Sequence, residues 1–264
     1  MTDPRLAART LRLAYGATPV IEGLDLAIEP GRFTALVGPN GCGKSTLLRA
    51  LAGLHAPASG QVVLDGASIA RRSTRALARE IGLLAQSASP AEGMTVEELV
   101  EQGRYPHRSV LGPWRARDQE AVEEALALTS LTDLRNSLVD RLSGGQRQRA
   151  WIAMVLAQQS TILLLDEPTT YLDLAHQVEV LGLMERLVKE YGATVVAVLH
   201  DLSQAARHAD TMVALKAGRI IAAGPPSEVV TPEVLRTAFN VEATVLTDPD
   251  TGTPLCLPRR TVPE

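Results

Sequence analysis

The sequence predicts an α/β fold in which helices cover a mainly parallel β-sheet. Short apolar runs rich in β-branched residues alternate with segments whose apolar residues recur every three or four positions. A glycine-rich break also stands directly between one strand-like run and one helical segment. Strands that alternate with helices favour a parallel sheet covered on both faces, so we expect one large α/β domain.

The composition limits the possible classes of function. With 264 residues, 45% of them hydrophobic, the chain can fill one sizeable core. Its 30 acidic residues exceed its 26 basic residues and only 3% are aromatic, so we expect no nucleic-acid partner. The two cysteines, Cys42 and Cys256, lie far apart and indicate a reducing compartment. No run reaches the roughly 18 apolar residues of a membrane span and no signal pattern opens the chain, so membrane association requires another protein.

The first part of the chain predicts an antiparallel β subdomain and the start of the core. Residues 6–37 have the pattern of short strands separated by turns. The run 33–37 predicts a buried central strand, and 44–53 predicts a helix closed by glycine. Residues 61–64 and 81–84 predict two further strands.

The middle of the chain predicts a helical insertion. From residue 87, loops rich in Pro, Gly and Ser alternate with helical patterns at 96–102 and 117–129. Further on, the sequence predicts strands at 162–165, 194–199 and 212–215, with a helix over 174–191. The tail predicts one helix, 232–239, followed by irregular sequence rich in Pro and Thr.

A phosphate-binding loop is predicted between the strand 33–37 and the following helix. It consists of Gly38, Pro39, Asn40, Gly41, Cys42, Gly43, Lys44, Ser45 and Thr46. Glycines allow backbone N–H groups to turn toward phosphate oxygens, and the helix directs its positive end at them. Lys44 is expected to reach the β- and γ-phosphates, and the Ser45 hydroxyl to bind Mg²⁺. A glycine-rich turn without a ligand is the alternative, which the strand and helix flanks disfavour.

An acidic pair follows the strand at 162–165. Asp166 ends this apolar run, so a buried strand delivers its carboxylate to the sheet edge, where it can hold Mg²⁺. Glu167 comes one residue later and faces a different direction. The alternative is an acidic surface pair that only caps a strand.

A third motif, the pentapeptide Leu-Ser-Gly-Gly-Gln at 142–146, lies between the loop and the acidic pair. The three motifs in this order resemble the ATP-binding-cassette (ABC) ATPases, which implies a P-loop NTPase core, ATP and Mg²⁺ as ligands, and ATP hydrolysis. In that family two copies associate head to tail, and each completes the ATP site of the other. The resemblance therefore implies that one copy contacts the γ-phosphate held by the phosphate loop of the other copy. The contacting residues are Ser143, Gly144, Gly145 and Gln146. A helix start capped by Ser143 is the other interpretation, although two glycines after the serine weaken a helix.

The same resemblance assigns catalytic roles. Glu167 is expected to act as general base on the attacking water, with Lys44 holding the phosphates. His200, after the strand 194–199, is similar to the family's switch histidine, which contacts the γ-phosphate. Gln86 is similar to the glutamine that senses Mg²⁺ and the attacking water. A structural histidine at a strand end is the alternative for His200, and a glutamine at a strand end is uninformative by itself.

Two more positions are assigned in the same way. Tyr15 resembles the aromatic residue that stacks on adenine, and a core tyrosine is the alternative. Asp173 resembles the aspartate of a loop that crosses the dimer interface. Tyr171 departs from the alanine that is commonest in this loop, but leaves Asp173 in register.

The chain is accordingly expected to be one ABC ATPase domain in three parts. They are a nucleotide-binding α/β core with its β subdomain (1–86 and 159–225), a helical subdomain that carries the pentapeptide (87–158), and a C-terminal extension (226–264).

Three further stretches, 95–107, 171–179 and 248–255, look like ATP-binding subunits of ferric-siderophore importers. This resemblance implies a membrane permease as partner, an extracytoplasmic binding protein as an indirect partner, and a peripheral location at the cytoplasmic face of the membrane. Haem, cobalamin or another metal chelate is an alternative cargo, and an iron-sulfur cluster assembly ATPase is an alternative of a different class. Residues 103–107 can also be an ordinary loop, and His176 an exposed helix position. The arginines at 71, 72, 75 and 79 favour a solvated helix face over lipid headgroups.

Overall fold

The computed structural model describes residues 4–86, 93–108, 112–170 and 172–263. Within these ranges the strands, in chain order, are β1 (Leu6–Tyr15), β2 (Thr18–Ile28), β3 (Phe33–Val37), β4 (Ser59–Leu64), β5 (Ala67–Ser68), β6 (Ile81–Leu84), β7 (Ile162–Asp166), β8 (Thr194–Val198), β9 (Thr211–Lys216), β10 (Arg219–Gly224), β11 (Val241–Thr247) and β12 (Pro254–Thr261). The α-helices are α1 (Lys44–Leu51), α2 (Thr74–Leu77), α3 (Val96–Glu101), α4 (Ala116–Leu128), α5 (Gly144–Ala157), α6 (Leu174–Tyr191), α7 (Leu202–His208), α8 (Pro226–Val229) and α9 (Pro232–Phe239).

The largest sheet has the strand order β10-β9-β3-β8-β7-β6. All neighbouring pairs are parallel except β9 and β10, so the predicted mainly parallel sheet is confirmed. Every residue of β3 is buried, as expected for a central strand covered on both faces. The register aligns Leu36, Val198 and Asp166 across three strands. The chain segments that follow these residues therefore leave the sheet at one edge.

A second sheet is antiparallel, with the order β2-β1-β4-β5. The predicted short strands over residues 6–37 are wrong, because β1 and β2 are 10 and 11 residues long. Their pairing contains register shifts, for example between Ala8 and Leu11. Such irregularities interrupt the alternation of the sequence while the two strands stay paired.

The helices α3, α4 and α5 pack around an apolar cluster of their own. It includes Val96, Leu99, Val122, Leu126, Ala150 and Ala153, all at most 1% exposed. The predicted helices at 96–102 and 117–129 match α3 and α4 to within one residue at each end. A separate core supports our division of the chain into an α/β part and a helical part, which remains an interpretation.

Residues 103–107 are more than an ordinary loop. They belong to a 3₁₀ helix, Gln102–His107, in which the Arg104 side chain is almost fully buried. Its Nε donates to Asp118 Oδ1 at 3.0 Å, and its Nη1 donates to the carbonyl of Ala157 at 2.7 Å. This residue therefore connects the 3₁₀ helix with α4 and the end of α5.

The C-terminal extension is ordered beyond its predicted helix. Helix α9 has the expected bounds, but the prediction of irregular sequence after it is wrong, because β11 and β12 form an antiparallel hairpin. Pro254 occupies the first position of β12 and Pro258 lies beside a register shift, two places where a strand tolerates proline. The hairpin is attached to α7, since the Cys256 N–H donates to Ser203 Oγ at 3.1 Å.

Candidate nucleotide-binding site

An open cleft of about 450 Å³ lies at the sheet edge where β3, β7 and β8 end. Nine of the predicted site residues line it, together with Val20: Asn40, Gly41, Gly43, Lys44, Ser45, Thr46, Gln86, Glu167 and His200. Segments that are far apart in the chain meet here because parallel strands place their carboxyl ends side by side.

The predicted phosphate loop turns tightly between β3 and α1. Gly38 has φ +151°, and a Cβ there would lie 2.3 Å from the carbonyl oxygen of Leu215, so only glycine fits. The Lys44 ammonium donates to the carbonyls of Gly38 at 2.8 Å and Pro39 at 3.0 Å. Cys42 is buried, with its sulfur 3.8 Å from the same ammonium. The backbone carbonyls of the loop therefore hold the Lys44 ammonium at the cleft.

Ser45 and Asp166 are brought together as the motif analysis requires. Ser45 Oγ donates to Asp166 Oδ1 at 2.9 Å, while Asp166 Oδ2 is buried without a hydrogen-bond partner among the described residues. Burial raises the pKa of Asp166, the charge of Glu167 adds to this, and the Ser45 hydrogen bond opposes it. A hydroxyl beside an unsatisfied carboxylate oxygen is a donor set that suits a hard cation.

Glu167 is held from three sides. His200 Nε2 lies 2.8 Å from its Oε1, Thr170 Oγ1 donates to its Oε2 at 3.1 Å, and the Gln86 side chain also hydrogen-bonds to it. Burial opposes ionisation, but the hydrogen bonds and the His200 charge outweigh it, so the pKa of Glu167 is lowered. The group is therefore a carboxylate at neutral pH.

The backbone of Glu167 is strained. Its φ is +55°, in the left-handed region that non-glycine residues seldom adopt. Such a conformation costs roughly 1–3 kcal/mol and is concentrated at functional sites. The carboxylate of this residue is the one that contacts His200.

The sequence analysis missed one residue that holds Glu167 and one that lines the cleft. Thr170 lies three residues after Glu167, a spacing that a turn can use, but threonine alone gives no signal there. Val20 belongs to β2, and the methyl group of its Cγ1 would lie 3.2 Å from a Cβ at Gly43. The position of Val20 depends on how the antiparallel sheet packs beside the phosphate loop, and a local sequence pattern does not contain this information.

Tyr15 stands at the end of β1 and does not line this cleft. Its side chain is 50% exposed, which excludes the core-tyrosine alternative. The ring lies 4.7 Å from the His55 ring at an angle of 54°. An exposed, supported ring can stack on a base, and this role remains a prediction.

The pentapeptide also lies outside the cleft lining. Ser143 caps α5 through a capping box: Ser143 Oγ accepts from the Gln146 N–H at 3.2 Å, and Gln146 Oε1 accepts from the Ser143 N–H at 3.1 Å. The cap interpretation is therefore correct for the single chain, and the role toward a partner's phosphate remains a prediction.

Asp173 lies beside the pentapeptide and not beside the phosphate loop. Its Oδ1 accepts from the backbone N–H of His176 at 3.0 Å and lies 2.7 Å from His176 Nδ1. A Cβ at Gly145 would come within 3.0 Å of the His176 ring. His176 is thus not a free helix position, because its ring packs between Asp173 and the start of α5. Tyr171 lies outside the described residues.

Comparison with known proteins agrees with this arrangement. A family model described as ABC transporter matches residues 21–170, more than half of the chain. The chain belongs to the ABC transporter family. It is 51% identical over 260 residues to the ferric enterobactin transport ATP-binding protein FepC of Escherichia coli (strain K12), covering 98% of this chain and 96% of that relative. The predicted family resemblance is confirmed.

Solved structures support the same fold for this ABC family member. A metal-chelate type ABC transporter in an inward-facing conformation superimposes with a TM-score of 0.85 at 29% identity, over 98% of both chains. An ATP-binding cassette solved as a dimer in a post-hydrolysis state with ADP and Pi gives a TM-score of 0.74 at 28% identity, over 84% of this chain and 98% of that one. The predicted fold class is therefore confirmed.

Proposed function

We propose that this chain is the ATP-hydrolysing subunit of an ABC importer that takes up a ferric siderophore or a closely related iron chelate. The observation that carries the ATPase assignment is that Lys44, Ser45 and the Glu167–His200 pair line one and the same cleft. This arrangement combines a phosphate cradle with an ionised carboxylate, the two parts that hydrolysis of a nucleotide phosphate requires.

Each group has a definite role in this proposal. The loop N–H groups and Lys44 bind and orient the phosphates, and Tyr15 stacks on the base. Ser45 and Asp166 would hold Mg²⁺ with Gln86 nearby, and the ion would neutralise charge on the phosphates. Glu167 accepts a proton from the attacking water, while His200 keeps the carboxylate oriented and ionised.

The proposed working unit is a head-to-tail homodimer. Ser143 and its neighbours do not line the cleft of their own chain, so a second copy is needed to bring them to a nucleotide. The similar cassette solved as a dimer with ADP and Pi supports this arrangement. In the dimer, Asp173 and Gly145 approach the interface together, because His176 joins them.

The proposed cargo follows from relatives and not from the cleft. The relative with 51% identity transports ferric enterobactin by its description, and the solved structure with the TM-score of 0.85 is of the metal-chelate type. None of the described helices is both long and apolar enough to cross a bilayer. Because a relative with 51% identity is described as a transport ATP-binding protein, we place the chain at the cytoplasmic face of the membrane, bound to a permease that receives cargo from an extracytoplasmic binding protein.

The ATPase assignment is tested by Glu167→Gln, which keeps the shape of the side chain but removes its basicity. Hydrolysis should fall about 10²- to 10⁴-fold, the usual contribution of a general base. Mg-ATP binding should persist, and a stable dimer should accumulate in gel filtration with Mg-ATP. Glu120→Gln, at an exposed position on α4, is the matched control and should retain full turnover. Brisk hydrolysis by Glu167→Gln would remove the proposed base.

The cargo is tested separately in vesicles that contain the chain together with its permease and are supplied with the extracytoplasmic binding protein. ATP-dependent uptake of a ferric siderophore, with no uptake of haem, is the expected result. Uptake of haem alone would overturn the cargo assignment and leave the ATPase assignment intact.

A further inference from the structure

A second cavity, of about 230 Å³, lies among the 3₁₀ helix Gln102–His107, the start of α4 and the residue Arg79. Its charged lining consists of Arg79, Arg104, Arg108, Arg115, Arg117 and one carboxylate, Asp118. The chain as a whole has a net charge of −4. The concentration of guanidinium groups is therefore a local feature of this cavity.

Asp118 does not neutralise this cavity. Its Oδ1 is paired with the Nε of buried Arg104 at 3.0 Å, and its Oδ2 accepts from the backbone N–H of Arg115 at 3.2 Å. Among the described residues, no carboxylate forms an ion pair with the other four arginines. Glu101 attracts Arg108 but lies beyond ion-pair distance. An excess of positive charge consequently remains at the cavity.

Arg108 is held in place and left unsatisfied. Its guanidinium carbon lies 5.1 Å from the centroid of the Trp114 ring, a cation–π contact that fixes its orientation. Trp114 is itself held by a hydrogen bond from Nε1 to Gln119 Oε1 at 3.0 Å. Arg108 Nε is buried and has no hydrogen-bond partner among the described residues. Buried N–H donors are nearly always paired, so this one is open to an acceptor that the described residues do not supply.

The first turn of α4 carries more positive than negative charge, against the dipole of the helix. Its carboxylate, Asp118, is paired with Arg104, whereas Arg115 at the N-cap and Arg117 in the first turn of this 13-residue helix are cations where the dipole favours an anion. An anion bound at this end would reverse the unfavourable interaction with both side chains and with the helix. The two arginines are exposed, so their heads are available to a ligand.

His107 completes the lining without adding charge. Burial lowers its pKa, and the charges of Arg104, Arg79 and Arg117 lower it further, against a hydrogen bond to the carbonyl of Gln158. The imidazole is therefore neutral at pH 7 and leaves the cavity's charge to the arginines.

We infer that this arginine cavity is a second anion site, which binds a phosphate-bearing ligand independently of the nucleotide cleft. Planar guanidinium groups match phosphate oxygens with paired hydrogen bonds, and several of them converge here on a cavity large enough for one or two phosphate groups. The ligand is either a soluble phosphate compound or the headgroup of an anionic lipid. The inference does not rest on the proposed ATPase activity.

The test uses the full chain with Lys44→Ala, which silences the phosphate loop. Inorganic pyrophosphate is titrated by calorimetry, and co-sedimentation is measured with vesicles of phosphatidylcholine with or without phosphatidylglycerol. We expect Arg115→Gln/Arg117→Gln to weaken the binding at least about tenfold, because charge-assisted hydrogen bonds are lost. Arg9→Gln/Arg71→Gln removes the same charge from exposed positions outside the cavity and should have no effect.

A second variant separates binding from folding. Arg108→Lys keeps a cation near Trp114 but loses the planar fork, so it should weaken pyrophosphate binding while the unfolding midpoint stays close to that of the parent. Binding of pyrophosphate identifies a soluble ligand, and binding only to phosphatidylglycerol vesicles identifies a lipid headgroup. The inference is overturned if neither probe binds or if the two double variants weaken binding equally. It is also overturned if the cavity variants lose only their association with the permease, which would indicate an acidic protein segment.

Discussion

At the scale of single residues, Glu167 and Asp166 are adjacent carboxylates with opposite pKa shifts. Hydrogen bonds from His200, Thr170 and Gln86 overcome burial and lower the pKa of Glu167, whereas burial dominates at Asp166 and raises its pKa. A lowered carboxyl pKa stabilises the fold above the ordinary value of 4.5, and this contribution is lost as the pH falls through the folded-state value. A raised pKa has the opposite sign, so the ionised Asp166 destabilises the chain near neutral pH.

The role of His200 can be tested through the pH profile of hydrolysis. His200→Ala removes the partner that favours ionisation of Glu167, so the acidic limb of the profile of kcat/KM should move to higher pH. His200→Gln can still donate a hydrogen bond and should move the limb less. The measurement is kcat/KM for hydrolysis between pH 5 and 8. An acidic limb that does not move in His200→Ala would show that the histidine does not lower the pKa of Glu167.

Asp166 offers a test that separates function from stability. Asp166→Asn removes a buried charge whose Oδ2 lacks a partner, so the unfolding free energy of the chain without nucleotide should rise by about 1 kcal/mol. The same change should abolish the extra stability that Mg-ATP provides. Thermal unfolding with and without Mg-ATP measures both effects. A variant that is less stable without nucleotide would contradict the buried-charge argument, and one that keeps the Mg-ATP shift would contradict the proposed Mg²⁺ role.

At the scale of elements, the buried pair of Arg104 and Asp118 connects three pieces of the helical part. Arg104→Met should lower the free energy of unfolding by about 3–5 kcal/mol, because Asp118 then remains as a buried charge without its partner. The double variant Arg104→Met/Asp118→Leu should recover most of this loss. Urea unfolding measures both. Arg260→Met, in the exposed pair with Glu242, is the control and should change little.

Two capping boxes that begin with a hydroxyl residue allow a comparison between elements of the same design. Thr95 caps α3 and Ser143 caps α5, each with a side chain three residues later that returns the hydrogen bond. They share a structural role, but only Ser143 has the second role that we propose at a dimer interface. A difference in turnover between variants at Ser143 and variants at Thr95 therefore reports on the dimer and not on helix capping.

At the scale of the whole molecule, the cleft and the pentapeptide lie apart in one chain, and we propose that a second copy brings them together. Ser143→Arg should abolish turnover while a single chain still binds ATP, because the bulky cation obstructs the approach of the second copy. Thr95→Arg removes an equivalent cap and should retain turnover. ATP affinity, turnover and dimer formation are measured for both variants. Loss of ATP binding in monomeric Ser143→Arg would show that the pentapeptide serves its own chain.

The strongest local patterns predicted most of the fold and most of the cleft. The strands β3, β6 and β7 and the helices α6 and α9 lie at the predicted positions to within a residue, because apolar periodicity and capping residues act over short distances. The strand lengths in the antiparallel sheet and the C-terminal hairpin were not predictable in this way. Bulges, prolines at permitted strand positions and half-buried strands weaken the alternation on which strand prediction depends.

The sequence by itself determined the family, the phosphate loop and the acidic pair, because glycine freedom, a lysine and neighbouring carboxylates have to stand at fixed short spacings. Only the tertiary structure decided which side chains share a cleft, how Thr170, Gln86 and His200 lower the pKa of Glu167, and where five arginines converge. These contacts join residues that are distant in the chain. Their distances follow from strand register and helix packing, which a local pattern does not contain.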